Sequence, residues 1–368
     1  MSANDMSNGT EVVGEGVAGT ALSLISKSLE PVALIAGLPS SLTYFAADLC
    51  RDLLARRHGA CEVISLNNLE SATVEKIGAT SGPALFLCEV PDAAVAAMAK
   101  DAAFPILVLD HDFVAASYDF MAARNANLLD TARTMARAQM GLFALADISR
   151  AAVVRVDQHE APALLAKSIA ASLGMSREIV SDMIEARSLA RPLTEVLDEI
   201  FVHEKLSRSD ETNGILCKLD HFYGLQSNRQ IPWHIPLAVL LEAVPPHMPA
   251  TNTIDLTGPA RCLTVGPYLY LPVGHWSLRF TFATSDNQST NTLGFDVTAD
   301  EEMKLAQDYV IAANGLFEFR CDFRIEDAFY PFEFRTFLRF GAIGGTFLPE
   351  TLIIEPAQKS AIVKSVST

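Results

Sequence analysis

From Pro31 onward, short runs of consecutive apolar residues alternate with longer stretches at helical spacing. The runs are Val32–Gly37, Cys61–Ser65, Ala84–Val90, Ile106–Leu109 and Ala152–Val156, each bounded by Pro, Gly or polar residues. Runs that are apolar on successive positions suit parallel strands covered on both faces. Between them lie amphipathic segments such as Leu42–Arg57, where Phe45, Leu49, Leu53 and Leu54 recur at helical spacing. Strand and helix alternating in this way predict a doubly wound parallel α/β sheet. Residues 160–206 read as helices only.

The grammar turns polar around Ser207–Asn213 and changes after Pro232. Period-two alternation then dominates. In Leu316–Ile325 the positions Phe317, Phe319, Cys321, Phe323 and Ile325 alternate with Glu318, Arg320, Asp322 and Arg324. Phe332–Phe340 repeats the pattern with Glu333, Arg335 and Arg339 on the polar side, and Trp276–Phe282 shows it more briefly. Several such strands separated by turn residues predict an antiparallel β-sandwich of jelly-roll type. The expected division is a disordered tail over 1–28, an α/β domain over 29–210, a linker over 211–230, a β-sandwich over 231–358 and a tail over 359–368.

Half of the 368 residues are apolar, enough for two cores. A formal net charge of −16 argues against nucleic-acid binding, which needs a basic surface. No apolar stretch reaches the length of about 18 residues that a membrane helix needs. The first thirty residues lack the basic region of a signal peptide. Six scattered cysteines without a CxxC pair fit a cytoplasmic protein with reduced thiols. The eight histidines make no metal pattern; His234 and His247 flank an apolar, helix-like stretch containing Glu242 at a spacing that matches no zinc signature. Gly14-Glu15-Gly16-Val17-Ala18-Gly19 matches GxGxxG, but no strand precedes it, and a flexible Gly-rich tail is the better reading. G-x-S-x-G and an intact Walker A are absent.

Ala36-Gly37-Leu38-Pro39-Ser40-Ser41-Leu42-Thr43 follows the first apolar run and opens a helix, where backbone N–H groups and the helix dipole favour an anion. This segment resembles the donor loop of the sulfotransferase family, G-x-P-[KR]-S-G-[ST]-[ST]. Gly37, Pro39, Ser41 and Thr43 are kept, while Ser40 stands for the basic residue and Leu42 for the glycine. Leu87-Cys88-Glu89-Val90-Pro91 is similar to the family's K-[ST]-H-x-P segment, with Glu89 at the general-base position and Leu87 in place of the lysine. Val108-Leu109-Asp110 through Ser117-Tyr118 resembles V-R-D-P-x-x-x-A-x-S-Y, with Leu109 for the arginine, His111 for the proline and Ser117 at the serine that contacts the 3′-phosphate. Val153–Asp157 and Pro162–Met175 resemble the family's late strand and helix. The resemblance spans about residues 31–180. It implies 3′-phosphoadenosine 5′-phosphosulfate as cofactor, Glu89 as catalytic base, and Gly37, Ser40, Ser41, Thr43 and Ser117 as donor-binding residues.

Three donor cations are replaced, by Ser40, Leu87 and Leu109. At about 1.5–3 kcal/mol per charged hydrogen bond, their loss weakens donor binding by orders of magnitude. Arg51, Arg56, Arg57 and Lys76 are the nearby cations that could substitute. A plain alternative stands beside this reading: Gly37 and Pro39 form a turn, Ser41 caps the helix, and Glu89 and Ser117 are ordinary surface residues. In the second half, Gly266-Pro267-Tyr268-Leu269-Tyr270-Leu271-Pro272 and Gly274-His275-Trp276 resemble small sandwich modules of bacterial polysaccharide-assembly proteins. Tyr268, Tyr270 and Trp276 are candidates to stack on sugar rings, or else belong to the sandwich core. The functional expectation is a sulfotransferase-like protein with a degenerate donor site, acting on a polysaccharide. A non-catalytic glycan-binding or scaffold protein is the alternative. A nucleotide-sugar enzyme on a similar sheet is a third reading without a residue signal.

Overall fold

The computed structural model describes residues 31–357 apart from 67–70, 81, 157–160, 188, 190–194, 196–208, 225–230 and 289. Both tails and the GxGxxG match lie outside the described residues. The chain divides into two units. One comprises the residues up to Ala126 with Ala138–Leu206, and the other Asn127–Arg137 with Ser207 onward.

The first unit is built on a parallel sheet of β1 (Pro31–Ala36), β2 (Glu62–Ser65), β3 (Ala84–Cys88), β4 (Ile106–Asp110) and β5 (Ala151–Arg155), in the order β2-β3-β1-β4-β5. The helices are α1 (Ser41–His58), α2 (Ser71–Ala79), α3 (Ala93–Asp101), α4 (Phe113–Arg124), α5 (Leu128–Ala146), whose residues up to Arg137 belong to the second unit, α6 (Pro162–Ser172) and α7 (Arg177–Arg187). All five apolar runs became strands. Ala33, Ile35, Leu85, Leu87, Leu107 and Leu109 point to one face and form a core with α1, α6 and α7. The alternate positions Leu34, Phe86 and Val108 are equally buried, which is why these strands carry no polar face.

The segment expected to be a linker is instead largely helix α8 (Asp210–Tyr223). Ser209 caps it by accepting from the Thr212 N–H at 3.1 Å, and Ile215, Leu216, Leu219, Phe222 and Tyr223 bury one face. Phe222 stacks on Trp233 at 4.0 Å between ring centroids. The stretch between His234 and His247, read as helix-like, holds a single 3-10 turn (Leu237–Val239) after Pro236, between the short strands β6 (Trp233–Ile235) and β7 (Leu241–Glu242). Pro236 fixes where the turn starts, since the residue before a proline is pushed out of the helical region, and the flanking apolar residues serve sheet edges.

The second unit is an antiparallel sandwich. Its remaining strands are β8 (Ile254–Asp255), β9 (Arg261–Val265), β10 (Pro267–Tyr270), β11 (Gly274–Ser285), β12 (Asn291–Ala299), β13 (Glu302–Ile311), β14 (Gly315–Ile325), β15 (Pro331–Leu338) and β16 (Thr346–Pro356). One sheet runs β13-β12-β15-β9-β7 with β10 on β15, the other β14-β11-β16-β6 with β8 on β16. The inner faces meet in a phenylalanine core. Phe280 of β11 lies 4.9 Å from Phe334 of β15 and 6.2 Å from Phe295 of β12 between centroids. Phe295 in turn stacks on Phe319 of β14 at 4.6 Å. Phe280→Ala removes the ring common to both sheets and is expected to cost about 3–5 kcal/mol, measured as a fall in the urea unfolding midpoint of the full chain.

Candidate functional site

The connections from β1 and β4 leave in opposite directions along the sheet. The carboxyl ends of these two strands are therefore the place where open α/β sheets of this kind bind ligands. Gly37 follows β1 there. A Cβ on it would lie 2.5 Å from Thr43 Oγ1 and 3.1 Å from Leu109 Cδ1, so glycine makes room for the Thr43 hydroxyl. Thr43 is wholly buried and donates to the Leu38 carbonyl at 2.6 Å. The helix cap is Ser40, whose Oγ accepts from the Thr43 N–H at 3.3 Å. Ser41, the cap expected in the plain reading, has a different partner. Its N–H and its hydroxyl are both bound by the Asp119 carboxylate of α4, the hydroxyl at 2.9 Å. An internal carboxylate therefore sits where the helix dipole favours negative charge.

Glu89, at 3% exposure just past β3, accepts from the Tyr44 hydroxyl at 2.7 Å. Burial first, and then Glu89, push the Tyr44 phenol up to about 12, with Arg124 opposing, so the phenol stays a donor. Ser117 is fully buried and donates to Phe113 O of its own helix at 2.8 Å, which commits its hydroxyl locally. Three cations considered as substitutes are engaged away from the loop. Arg51 pairs with Asp48 and Asp52, Arg57 donates to Leu173 O at 3.3 Å, and Lys76 donates to Val63 O at 3.4 Å. His111 brings Nε2 to 3.5 Å from Thr43 Oγ1.

A second cluster occupies the outer face of the six-stranded sheet. Arg335 Nε and Nη2 reach the two oxygens of Asp296 at 2.8 and 3.0 Å, a bidentate pair with the carboxylate 3% exposed. That carboxylate raises the Arg335 pKa. Arg339 Nε meets Asp308 Oδ1 at 2.6 Å. Both guanidiniums approach the Phe337 ring, at 5.5 and 4.8 Å from its centroid. A Cβ on Gly294 would lie 2.0 Å from Arg339 Nε, so glycine lets this arginine cross β12 to Asp308. The row continues through Glu333 to Tyr268, whose hydroxyl donates to it at 2.6 Å. Arg133 covers the Tyr268 ring at 4.5 Å.

Of the three aromatic candidates, Tyr268 joins this cluster. Tyr270 is half-buried, and its backbone N–H and carbonyl both bond the Tyr223 hydroxyl. Trp276 is 4% exposed and donates from Nε1 to Pro272 O at 2.9 Å, with its ring 6.1 Å from that of Phe222. It packs in the core and offers no face for stacking. Sequence reasoning missed Tyr44, Asp119, Asp296, Asp308 and Phe337. Phe337 and the outer arginines were visible in the alternation of β15. Asp119, 78 residues from its partner, left no local signal.

No family model matches the sequence, and no curated protein matches it. Among solved structures, a xylan-binding module, CBM15, is 12% identical with a TM-score of 0.25, covering 35% of this chain and 98% of that module. The TmCBM61 module in complex with β-1,4-galactotriose is 10% identical with a TM-score of 0.21, covering 32% of this chain and 81% of that one. CapF is 8% identical with a TM-score of 0.13, covering 89% and 96%. These similarities are too low to carry a conclusion about function. No helix among the described residues is long and apolar enough to cross a membrane.

Burial lowers the His111 imidazole from 6.5 to about 4, with Asp112 and the Leu38 carbonyl opposing. Between those values the unfolded chain takes up a proton that the folded chain refuses. His111 therefore contributes its full stability above about 6.5 and loses it as pH falls toward 4. The unfolding free energy, followed by denaturant titration at a series of pH values, should fall across this window. His111→Gln should flatten that part of the profile.

Proposed function

We propose that this is a non-catalytic glycan-binding protein, and that the outer face of its six-stranded sheet takes a carbohydrate, in the assembly or modification of a polysaccharide. The carrying observation is the ladder Asp308–Arg339–Phe337–Arg335–Asp296, in which donors and acceptors are held rigidly beside an aromatic ring. Vicinal sugar hydroxyls present donor and acceptor together, and such fixed guanidinium and carboxylate groups answer both. Arg133, Arg335 and Arg339 balance Asp296, Asp308 and Glu333, which suits an uncharged saccharide better than a polyanion. The contribution of the α/β unit is then structural or an interaction surface, because Asp119 already occupies the Ser41 amide.

Calorimetric titration of the full chain with a panel of neutral and acidic oligosaccharides tests this. A neutral oligosaccharide should bind, and Arg339→Ala should weaken it by at least about tenfold, the loss of one charged hydrogen bond. Failure of every saccharide in the panel to bind would sink the reading.

A second reading rests on Glu89, buried just past β3 and bonded to Tyr44. On this reading Gly37, Ser40, Ser41, Thr43 and Ser117 would hold 3′-phosphoadenosine 5′-phosphosulfate, which would supply the sulfuryl group, and Glu89 would take the proton of the acceptor hydroxyl. Adenosine 3′,5′-bisphosphate titrated into the natural protein and Asp119→Ala separates the two readings. Binding to neither is expected. Micromolar binding to the natural protein would favour transfer chemistry, whereas binding that appears only once Asp119 is removed would show that this carboxylate closes the site.

A further inference from the structure

The five-stranded sheet ends at β14, which pairs only with β11 among the described residues. The register runs without a shift from Gly274↔Ile325 to Thr284↔Gly315, so the far side of β14 is a straight row of backbone donors and acceptors. Its outer face carries Glu318, Arg320, Asp322 and Arg324, all exposed. Within its own sheet this row finds no complement. Arg320 stands directly opposite Arg279, a like-charge pair, while Glu318, Asp322 and Arg324 oppose Thr281, Ser277 and His275. Glu318 and Arg320 pair with each other along the strand, and Arg324 comes to 3.8 Å from Glu326.

The row is complementary to itself when read in the opposite direction. We propose that β14 pairs antiparallel with β14 of a second copy of this chain, about a two-fold axis at Cys321, joining the two five-stranded sheets into one. In that register Glu318 faces the second copy's Arg324 and Arg320 faces its Asp322, each twice by symmetry. On the inner side Phe319 faces Phe323, and Phe317 faces Ile325. A slip of one residue turns charges toward the core face. A two-residue change in the pairing, in either direction, sets Arg320 against itself with Glu318 against Asp322, or Asp322 against itself with Arg320 against Arg324. Of these neighbouring registers, only the one centred on Cys321 satisfies the charges. Leu316, exposed by 69%, stands on the same face as the charged row and adds apolar surface at its end. A single pair of strands buries less than the roughly 1,600 Å² of a standard interface, so the dimer is reversible and concentration-dependent.

Sedimentation velocity of the full chain across a dilution series tests the proposal, with Arg320→Asp and the double variant Arg320→Asp/Asp322→Arg. In the monomer Arg320→Asp replaces an arginine opposite Arg279 by an aspartate, so folding, followed by thermal unfolding, should be preserved. The natural protein should dimerise. Arg320→Asp should weaken the dimer by about tenfold or more through two opposed aspartate pairs, and the double variant should restore it. A natural protein that stays monomeric at every concentration would overturn the proposal. So would a single variant that dimerises as well as the natural protein, or a double variant no better than the single.

Discussion

The period-two burial of phenylalanine between two antiparallel sheets is the constraint on which the second unit turns. Phe280, Phe282, Phe295, Phe319, Phe334 and Phe347 are each at most 2% exposed, and side chains on a strand alternate strictly between faces. Burying these rings leaves no freedom in where their neighbours go. Glu333, Arg335 and Phe337 must stand on the outer face of one sheet, and Glu318, Arg320, Asp322 and Arg324 on that of the other. The ladder of Asp308, Arg339, Phe337, Arg335 and Asp296 and the charged row of β14 both follow from the register that the core imposes.

A different economy governs the α/β unit. Its strands are apolar on both faces, so chemistry is confined to the strand ends, where the backbone turns and helices begin. The loop after β1 holds the residues that a donor site would use, in the order that a donor loop would use them. Their bonds are closed internally: Thr43 to Leu38, Ser40 to Thr43, Ser41 to Asp119, Ser117 to Phe113. A helix start satisfied by a carboxylate of its own chain is stable without a ligand. The turn geometry depends on Gly37 and the Ser40 cap, and neither needs an anion.

The expected linker shows how polar composition can mislead. Ser209 to Asn213 reads as a break, yet Ser, Asp and Glu are also the residues that open a helix, through the cap and the dipole. The apolar positions from Ile215 to Tyr223 then continue at helical spacing and find β6 to pack on. The stretch around Glu242 misled in the opposite way, since a short apolar run does not tell helix from strand without its partners.

The sequence by itself determined the two classes of sheet, because covered parallel strands and half-solvated antiparallel strands write different periods into the chain. It also settled which face of β14 and β15 carries charge, since alternation is local. Only the tertiary structure decided which partners those charges meet. Asp296 and Arg335 are 39 residues apart, Asp308 and Arg339 31, Ser41 and Asp119 78. Such pairs form because strand order and register bring distant positions together, and neither leaves a mark on any short stretch of chain. The same reason separated Trp276 from Tyr268: two aromatics of similar local context, one turned into the core by its register on β11 and the other left at the outer row beside Glu333.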